Sequence, residues 1–322
     1  MSTEKKWNVY RGTNEPHNDI SKLPDAPTWR GKSKNTHKAF IPTQEEIDLV
    51  NTALCLRRPL LITGKPGTGK SALAKAVAEE LNLGNVLSWH ITTQSTLKDA
   101  LYSYDAVARL HDASMNKNKV EENIGKYITL GAIGTAFVQS NSTNFNKSKK
   151  ENIRVILIDE IDKSDIDLPN NLLHILEENQ FKIPELERSV TEKHEVKTLD
   201  GKSATVTRGN IEANIDKFPL IVMTSNGERE FPSAFLRRCI HLTMQPRREF
   251  TQLENIISSH IELDDEKRAK LKNIIEEFIA KDTNKEYLAI DQLLNRVFLE
   301  LEGIDIDNNE PLLKSIWKSL SV

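Results

Sequence analysis

Residues 64–71 read GKPGTGKS, which meets every fixed position of the G-x-x-x-x-G-K-[ST] pattern within eight residues. Few features constrain a fold more, because the pattern works only as the turn between a strand and a helix. The run Pro59-Leu60-Leu61-Ile62-Thr63 before it has the character of a short buried strand. The stretch from Ser71 to Leu83 after it is rich in Ala, Leu, Lys and Glu, as a helix is. In such a turn Gly64, Gly67 and Gly69 let the backbone curl until successive N–H groups and the helix N-terminus face one anion, with Lys65, Pro66 and Thr68 completing the loop. Lys70 then reaches the β and γ phosphates of a nucleotide, and the Ser71 hydroxyl is placed to ligate Mg²⁺.

A second chemical anchor lies at Arg154 to Lys163, RVILIDEIDK, where four β-formers run without alternation into Asp159 and Glu160. An acid ending a central parallel strand holds Mg²⁺, and the next acid orients and deprotonates a water for attack on the γ-phosphate. A third apolar run, Phe218 to Asn226, delivers Thr224, Ser225 and Asn226 at its polar end. Asn226 is the strongest candidate there, since a neutral amide positions water or reads the γ-phosphate without adding charge; a plain turn asparagine is the competing reading. Finally PSAFLRRCIHL places Arg237 and Arg238 at the end of a short helix ahead of a strand, Cys239 to Leu242.

The 322 residues suffice for two domains, and 44 basic against 47 acidic side chains, a net charge of −3, give no global reason to expect nucleic acid or membrane partners. Cys55 and Cys239 lie in apolar settings outside any metal or redox motif, so both are expected to be reduced and buried, as fits a cytoplasmic protein. The N-terminal sequence has no apolar signal core, and no run reaches the ~20 apolar residues that span a bilayer.

Residues 1–40 are polar and proline-bearing and read as an extended, non-helical arm tied down by Trp7, Tyr10 and the segment Leu23 to Arg30. Thr43 and Glu46 form a capping box for a helix with Ile47, Val50, Ala53 and Leu54 on one face. A strand is expected over Val86 to Thr92, then a helix through LKDALYSYDAVARLHD capped by Ser95 or Thr96, then the apolar stretch Tyr127 to Phe137. Ser140 to Asn152 is a polar linker, Pro169 to Phe181 a helix, and Asp200-Gly201 the turn of a hairpin within Thr191 to Thr207. After Pro246 four amphipathic segments follow, which puts a domain boundary near Gln245 to Arg248. The expected division is 1–40 arm, 41–246 nucleotide-binding domain and 247–322 helical lid.

Taken in order, these pieces resemble the AAA+ ATPases, and more narrowly their MoxR-like branch. GKPGTGKS looks like Walker A, ILIDE like Walker B, TSN like sensor 1 and FLRRC like the arginine-finger segment; the TLKDALYSYDAVARL and YITLGAIGTAF segments and NGEREFPSAFLRRC carry the branch-level likeness. The resemblance implies a P-loop α/β fold with a parallel sheet in the order 5-1-4-3-2, a smaller all-α C-terminal lid, and a ring, usually a hexamer, with ATP at each junction. By the same resemblance Lys70 binds phosphate, Ser71 and Asp159 hold Mg²⁺, Glu160 is the catalytic base, Asn226 is sensor 1, and Arg238, with Arg237 as runner-up, is the finger. The sensor 2 arginine is absent or falls to Arg296, since Asp291 and Gln292 stand where many relatives carry it.

The implied function is an ATP hydrolase, turning ATP into ADP and phosphate, that remodels or assembles a partner protein, with von Willebrand factor A-type proteins as the partner class. The alternative is a nucleotide-gated scaffold whose bound state carries a signal. A DNA-dependent motor ranks below both, because the only short basic run is KSKK at Lys147 to Lys150. Tyr127 to Phe137, where aromatics flank glycines, is a candidate partner contact, with ordinary packing the competing reading.

Overall fold

A computed structural model describes residues 9–10, 12–30, 40–115, 124–141, 153–261, 263–283, 287–304, 306 and 308–319. The chain divides into two compact units, one of Pro42–Lys65 with Gly69–Met244, the other of Met1–Ile41, Pro66–Thr68 and Gln245–Val322.

The first unit opens with α1 (Gln44–Leu56), started by the expected capping box: Thr43 Oγ1 accepts from the Glu46 N–H at 3.3 Å, and the Glu46 carboxylate accepts from the Thr43 N–H at 2.8 Å. Val50 and Ala53 are buried as expected, but Ile47 is 38% exposed and Cys55, expected to be buried, is exposed. The inner face is turned toward Glu46, which the box folds back and buries.

Next come β1 (Leu60–Thr63), α2 (Lys70–Glu80) and β2 (Leu87–His90). The single helix expected after Thr96 is instead α3 (Leu97–Leu101), β3 (Tyr102–Tyr104) and α4 (Ala106–Met115). Tyr102 and Tyr104 fit an antiparallel pairing with β4 (Ile128–Leu130), and the Tyr102 hydroxyl donates to Glu185 at 2.8 Å. Sheet pairing and that buried bond outweigh local helix propensity.

The stretch proposed for partner contact is core. Tyr127 is 6% exposed and Phe137 0%, and Phe137 packs against Phe181 and Phe218 with ring centroids 6.3 and 5.8 Å away. Within it lies α5 (Ala132–Ser140), whose glycine serves close approach rather than flexibility: a Cβ on Gly134 would sit 2.1 Å from the Leu101 carbonyl oxygen. Gly134→Ala is therefore expected to destabilise the unit by about 1–3 kcal/mol through overpacking, more than the roughly 0.5–1 kcal/mol that alanine gains in helix propensity. A urea titration checks this; an unchanged or raised midpoint would show that α5 has room to move.

The chain continues through β5 (Val155–Asp159) and α6 (Leu168–Glu178). The helix expected over Pro169 to Phe181 stops short, because Asn179 adopts φ 56° and ends it, and Phe181 lies in β6 (Gln180–Lys182). Then follow α7 (Pro184–Glu187), β7 (Lys193–Lys197), β8 (Ser203–Thr207), β9 (Asn210–Glu212), β10 (Leu220–Ser225), α8 (Ser233–Leu236) and β11 (Ile240–Thr243). Asp200-Gly201 turns the β7–β8 hairpin, Gly201 at φ 78°, and Asp200 anchors it by accepting from Thr198, Gln139 and Arg154.

Strands β11, β1, β10, β5 and β2 form one sheet in that order, every pair parallel, which is 5-1-4-3-2 when its members are numbered along the chain. Its central strands are continuous apolar runs because both faces are covered. A second sheet has six strands in the order β3-β4-β7-β8-β9-β6, of which only the hairpin turned by Asp200-Gly201 was expected from sequence. One hydrophobic core joins the two sheets.

The second unit contains α9 (Phe250–His260), α10 (Asp265–Thr283), α11 (Ile290–Leu301) and α12 (Glu310–Ile316), the four amphipathic segments expected. Leu253, Ile257, Leu271, Ile275, Leu293 and Val297 fill their core. The arm belongs to this unit: Trp29 stands edge-on to His260 and Phe298 at 5.8 and 5.9 Å, and its Nε1 donates to Asn295 Oδ1 at 3.3 Å. It is not wholly extended, since Asp19–Lys22 form a 3-10 turn, and Tyr10, expected as an anchor, is 83% exposed. Trp7, residues 142–152 of the expected linker and the KSKK run lie outside the described residues. Among the described residues no helix is long and apolar enough to cross a membrane.

Candidate nucleotide site

The parallel sheet lines up the polar ends of β1, β5 and β10, with β10 between the other two. The register sets Thr63 beside Ser225 and Met223 beside Ile158, so the phosphate-binding loop, the acidic pair and the β10 terminus emerge side by side. A crevice at the carboxyl ends of adjacent parallel strands is where such sheets bind ligands.

Gly64, Gly67 and Gly69 have φ of 151°, 76° and 93°, and Gly69 is the N-cap of α2. These conformations are open to glycine, and loops built on them are the kind that can turn successive N–H groups toward one anion. At Gly64 a side chain is excluded twice over, since a Cβ would also lie 2.6 Å from the Met244 carbonyl oxygen.

Lys70 is buried, and its ammonium donates to the carbonyls of Gly64 at 2.7 Å and Lys65 at 2.9 Å and to Asn226 Oδ1 at 2.9 Å. Burial pulls its pKa below the usual lysine value, while the charges of Asp162, Asp159 and Glu160 work the other way. The Ser71 hydroxyl donates to Asp159 Oδ1 at 2.7 Å, and the same oxygen accepts from Thr224 Oγ1 at 2.6 Å. His90 Nδ1 lies 3.3 Å from Asp159 Oδ2.

Glu160 sits at φ 60°, a left-handed conformation that costs a residue with a side chain on the order of 1–3 kcal/mol. It turns the chain sharply out of β5, and its N–H donates to Thr224 Oγ1 at 2.9 Å. The Glu160 carboxylate accepts from Asn226 Nδ2 at 3.3 Å and from Lys163 Nζ at 2.7 Å, an ion pair that raises the lysine pKa. The single amide of Asn226 thus touches Lys70 with its oxygen and Glu160 with its nitrogen.

The structure therefore brings Gly64, Lys70, Ser71, Asp159, Glu160 and Asn226 into one hydrogen-bonded group. The two arginines stand apart from it: among the described residues no hydrogen bond or ion pair joins Arg237 or Arg238 to Lys70, Ser71, Asp159 or Glu160. Arg238 pairs with Glu177 of α6 at 2.5 Å with its side chain 39% exposed, and Arg237 is exposed. Arg296, left open as a sensor 2 residue, is 1% exposed and pairs with Glu300 one turn along α11 at 2.6 Å. Thr224 was named from sequence without a role, and Lys163, His90 and Asp162 were not singled out as site residues. The signal for Asp162 was present in the third acid of RVILIDEIDK, three residues after Asp159.

Residues 59–239 match the family of the AAA domain, dynein-related subfamily. The chain belongs to that family. The AAA domain accounts for the parallel sheet, the phosphate-binding loop and the acidic pair, and carries nucleotide-binding ATPase character. Solved structures similar to this AAA chain include NtrX from Brucella abortus in complex with ADP, at 12% identity and TM-score 0.41 over 81% of this chain and 50% of that one. A second NtrX structure from Brucella abortus aligns at 13% identity and TM-score 0.43, over 86% and 55%. The complex of subunits BchI and BchD of magnesium chelatase aligns at 15% identity and TM-score 0.39, over 89% and 96%. The chain spans about half the length of NtrX. No curated protein matches it at a significant level.

Proposed function

We propose that this AAA chain is a Mg²⁺-dependent ATP hydrolase of the MoxR-like branch. It works in the cytoplasm as a ring of six and couples turnover to remodelling or assembly of a partner protein, the expected class being von Willebrand factor A-type proteins. The observation that carries the hydrolase reading is the Asn226 amide held between Lys70 and Glu160 at 2.9 and 3.3 Å. It ties a phosphate-binding cation to a general base through one neutral group, which is the relation needed to set a water in line with a γ-phosphate.

In this reading the loop from Gly64 to Ser71 cradles the phosphates and Lys70 offsets their charge. Glu160 takes the proton of the attacking water, and Asn226 orients that water. Arg238, or Arg237, completes the site of an adjacent subunit. Residues 41–246 form the catalytic domain, 247–322 its lid and 1–40 the arm.

Ser71 and Asp159 would hold Mg²⁺. They offer only oxygen, and among the described residues no group of three or more His, Cys, Asp or Glu is placed to hold a metal by itself. That suits an ion bound through one or two protein oxygens and completed by substrate phosphates. The ion supplies neutralisation of developing phosphate charge.

Phosphate release from ATP tests the reading. Turnover is expected with Mg²⁺, lost on chelation with EDTA, and raised by a bona fide partner. Release no faster than that of Lys70→Ala would leave the protein a nucleotide-gated scaffold.

A further inference from the structure

Asp162 is 6% exposed, and one of its carboxylate oxygens, Oδ2, accepts two backbone N–H groups, from Asn226 at 2.8 Å and from Glu228 at 3.2 Å. Its other oxygen, Oδ1, is buried without a hydrogen-bond partner among the described residues. A buried acceptor left idle is unfavourable, so stability alone gives no reason for an acid here. Both bonds fall on the segment just beyond β10, one of them on Asn226, whose side chain bridges Lys70 and Glu160, and the other on Glu228 two residues further on.

The chain leaves β5 through the left-handed Glu160 into the 3-10 turn Ile161–Lys163, so Asp162 is fixed by the same bend that presents the base. Beyond Ser225 the β10 segment has left the sheet, and Gly227 follows at φ 79°. Without an acceptor, the N–H groups of Asn226 and Glu228 would lose the bonds that set the direction of the Asn226 side chain. We propose that Asp162 is a positioning residue for hydrolysis, acting through the Asn226 backbone to hold the amide between the phosphate-binding lysine and the base. The inference rests on the proposed hydrolase reading and deepens it.

The test is a double-mutant cycle on the full chain, read by steady-state ATP hydrolysis, binding of a fluorescent ATP analogue and thermal unfolding. Asp162→Ala is expected to lower kcat about ten- to a hundredfold, as loss of precise placement does, while analogue affinity changes less than about threefold. Asp162→Asn keeps a carbonyl oxygen for the two N–H groups and is expected to recover most of kcat. In Asn226→Ala, which has no amide left to position, adding Asp162→Ala is expected to cost little more, because two residues acting through one group are not additive. Full additivity in the cycle, or a parallel loss of affinity and kcat with a lowered Tm, would make Asp162 merely structural and overturn the inference. A full-speed Asp162→Ala beside a dead Glu160→Gln would overturn it while leaving the hydrolase reading standing. A full-speed Glu160→Gln would instead remove the hydrolase mechanism itself.

Discussion

Glu160→Gln is expected to bind ATP as the wild type does and to hydrolyse it more slowly by on the order of 10²–10⁴-fold, the span that general-base catalysis contributes. The substitution is close to isosteric. The amide still meets Asn226 Nδ2 with its oxygen, and the left-handed turn at 160 is a backbone property that survives. What goes is an acceptor for the proton of the attacking water, together with the charge that Lys163 pairs with at 2.7 Å. Lys70→Ala is the contrasting variant. It deletes the ammonium that donates to the Gly64 and Lys65 carbonyls and to Asn226, so binding itself is lost. Isothermal titration with ATP and phosphate release separate the two. Wild-type turnover in Glu160→Gln would take this residue out of the mechanism.

Arg238→Ala is expected to bind ATP normally and to lose turnover by about 10³–10⁵-fold, the scale of an arginine that stabilises a transferring phosphoryl group. Its side chain pairs with Glu177 of α6, and among the described residues no hydrogen bond or ion pair joins it to Lys70, Ser71, Asp159 or Glu160; in the proposed ring it would act on a neighbour's nucleotide. Head-to-tail contacts in a closed ring are heterologous, so one chain completes the site of the next. Two inactive variants, Glu160→Gln and Arg238→Ala, are then expected to regain activity when mixed, since about a quarter of junctions in a random equal mixture pair an intact base with an intact finger. Arg237→Ala mixed in the same way tells the two arginines apart, and sedimentation in ATP establishes that mixed rings form. Mixed rings without rescue by either arginine variant would place the finger elsewhere or in cis.

Which parts of this protein could be read from its residues follows from how local the physics is. The phosphate-binding loop was legible because its glycines, lysine and serine act within one strand–turn–helix, so spacing alone carries the geometry. The strand over Val155–Asp159 and the helices after Pro246 were legible for the same reason: an unbroken apolar run and a 3.6-residue period are local statements about which faces are covered. The order of the parallel sheet came from resemblance, and the structure has it.

What tertiary structure decided were the places where a distant partner outweighs local preference. Tyr102–Tyr104 leave a helical context to pair with Ile128–Leu130, and Phe181 leaves the end of a helix for a strand paired with Asn210–Glu212. Tyr127 to Phe137 looks like a flexible contact surface in one dimension. It is buried in three, because the backbone near Leu101 closes on Gly134 and the rings of Phe181 and Phe218 close on Phe137. The roles of Thr224 and Asp162 were hidden for the same reason, since each acts across more than sixty residues of sequence, Thr224 on Asp159 and Asp162 on Asn226. Spacing fixes only what a single turn can reach; a hydrogen bond between the ends of two neighbouring parallel strands exists only once the sheet has set their register.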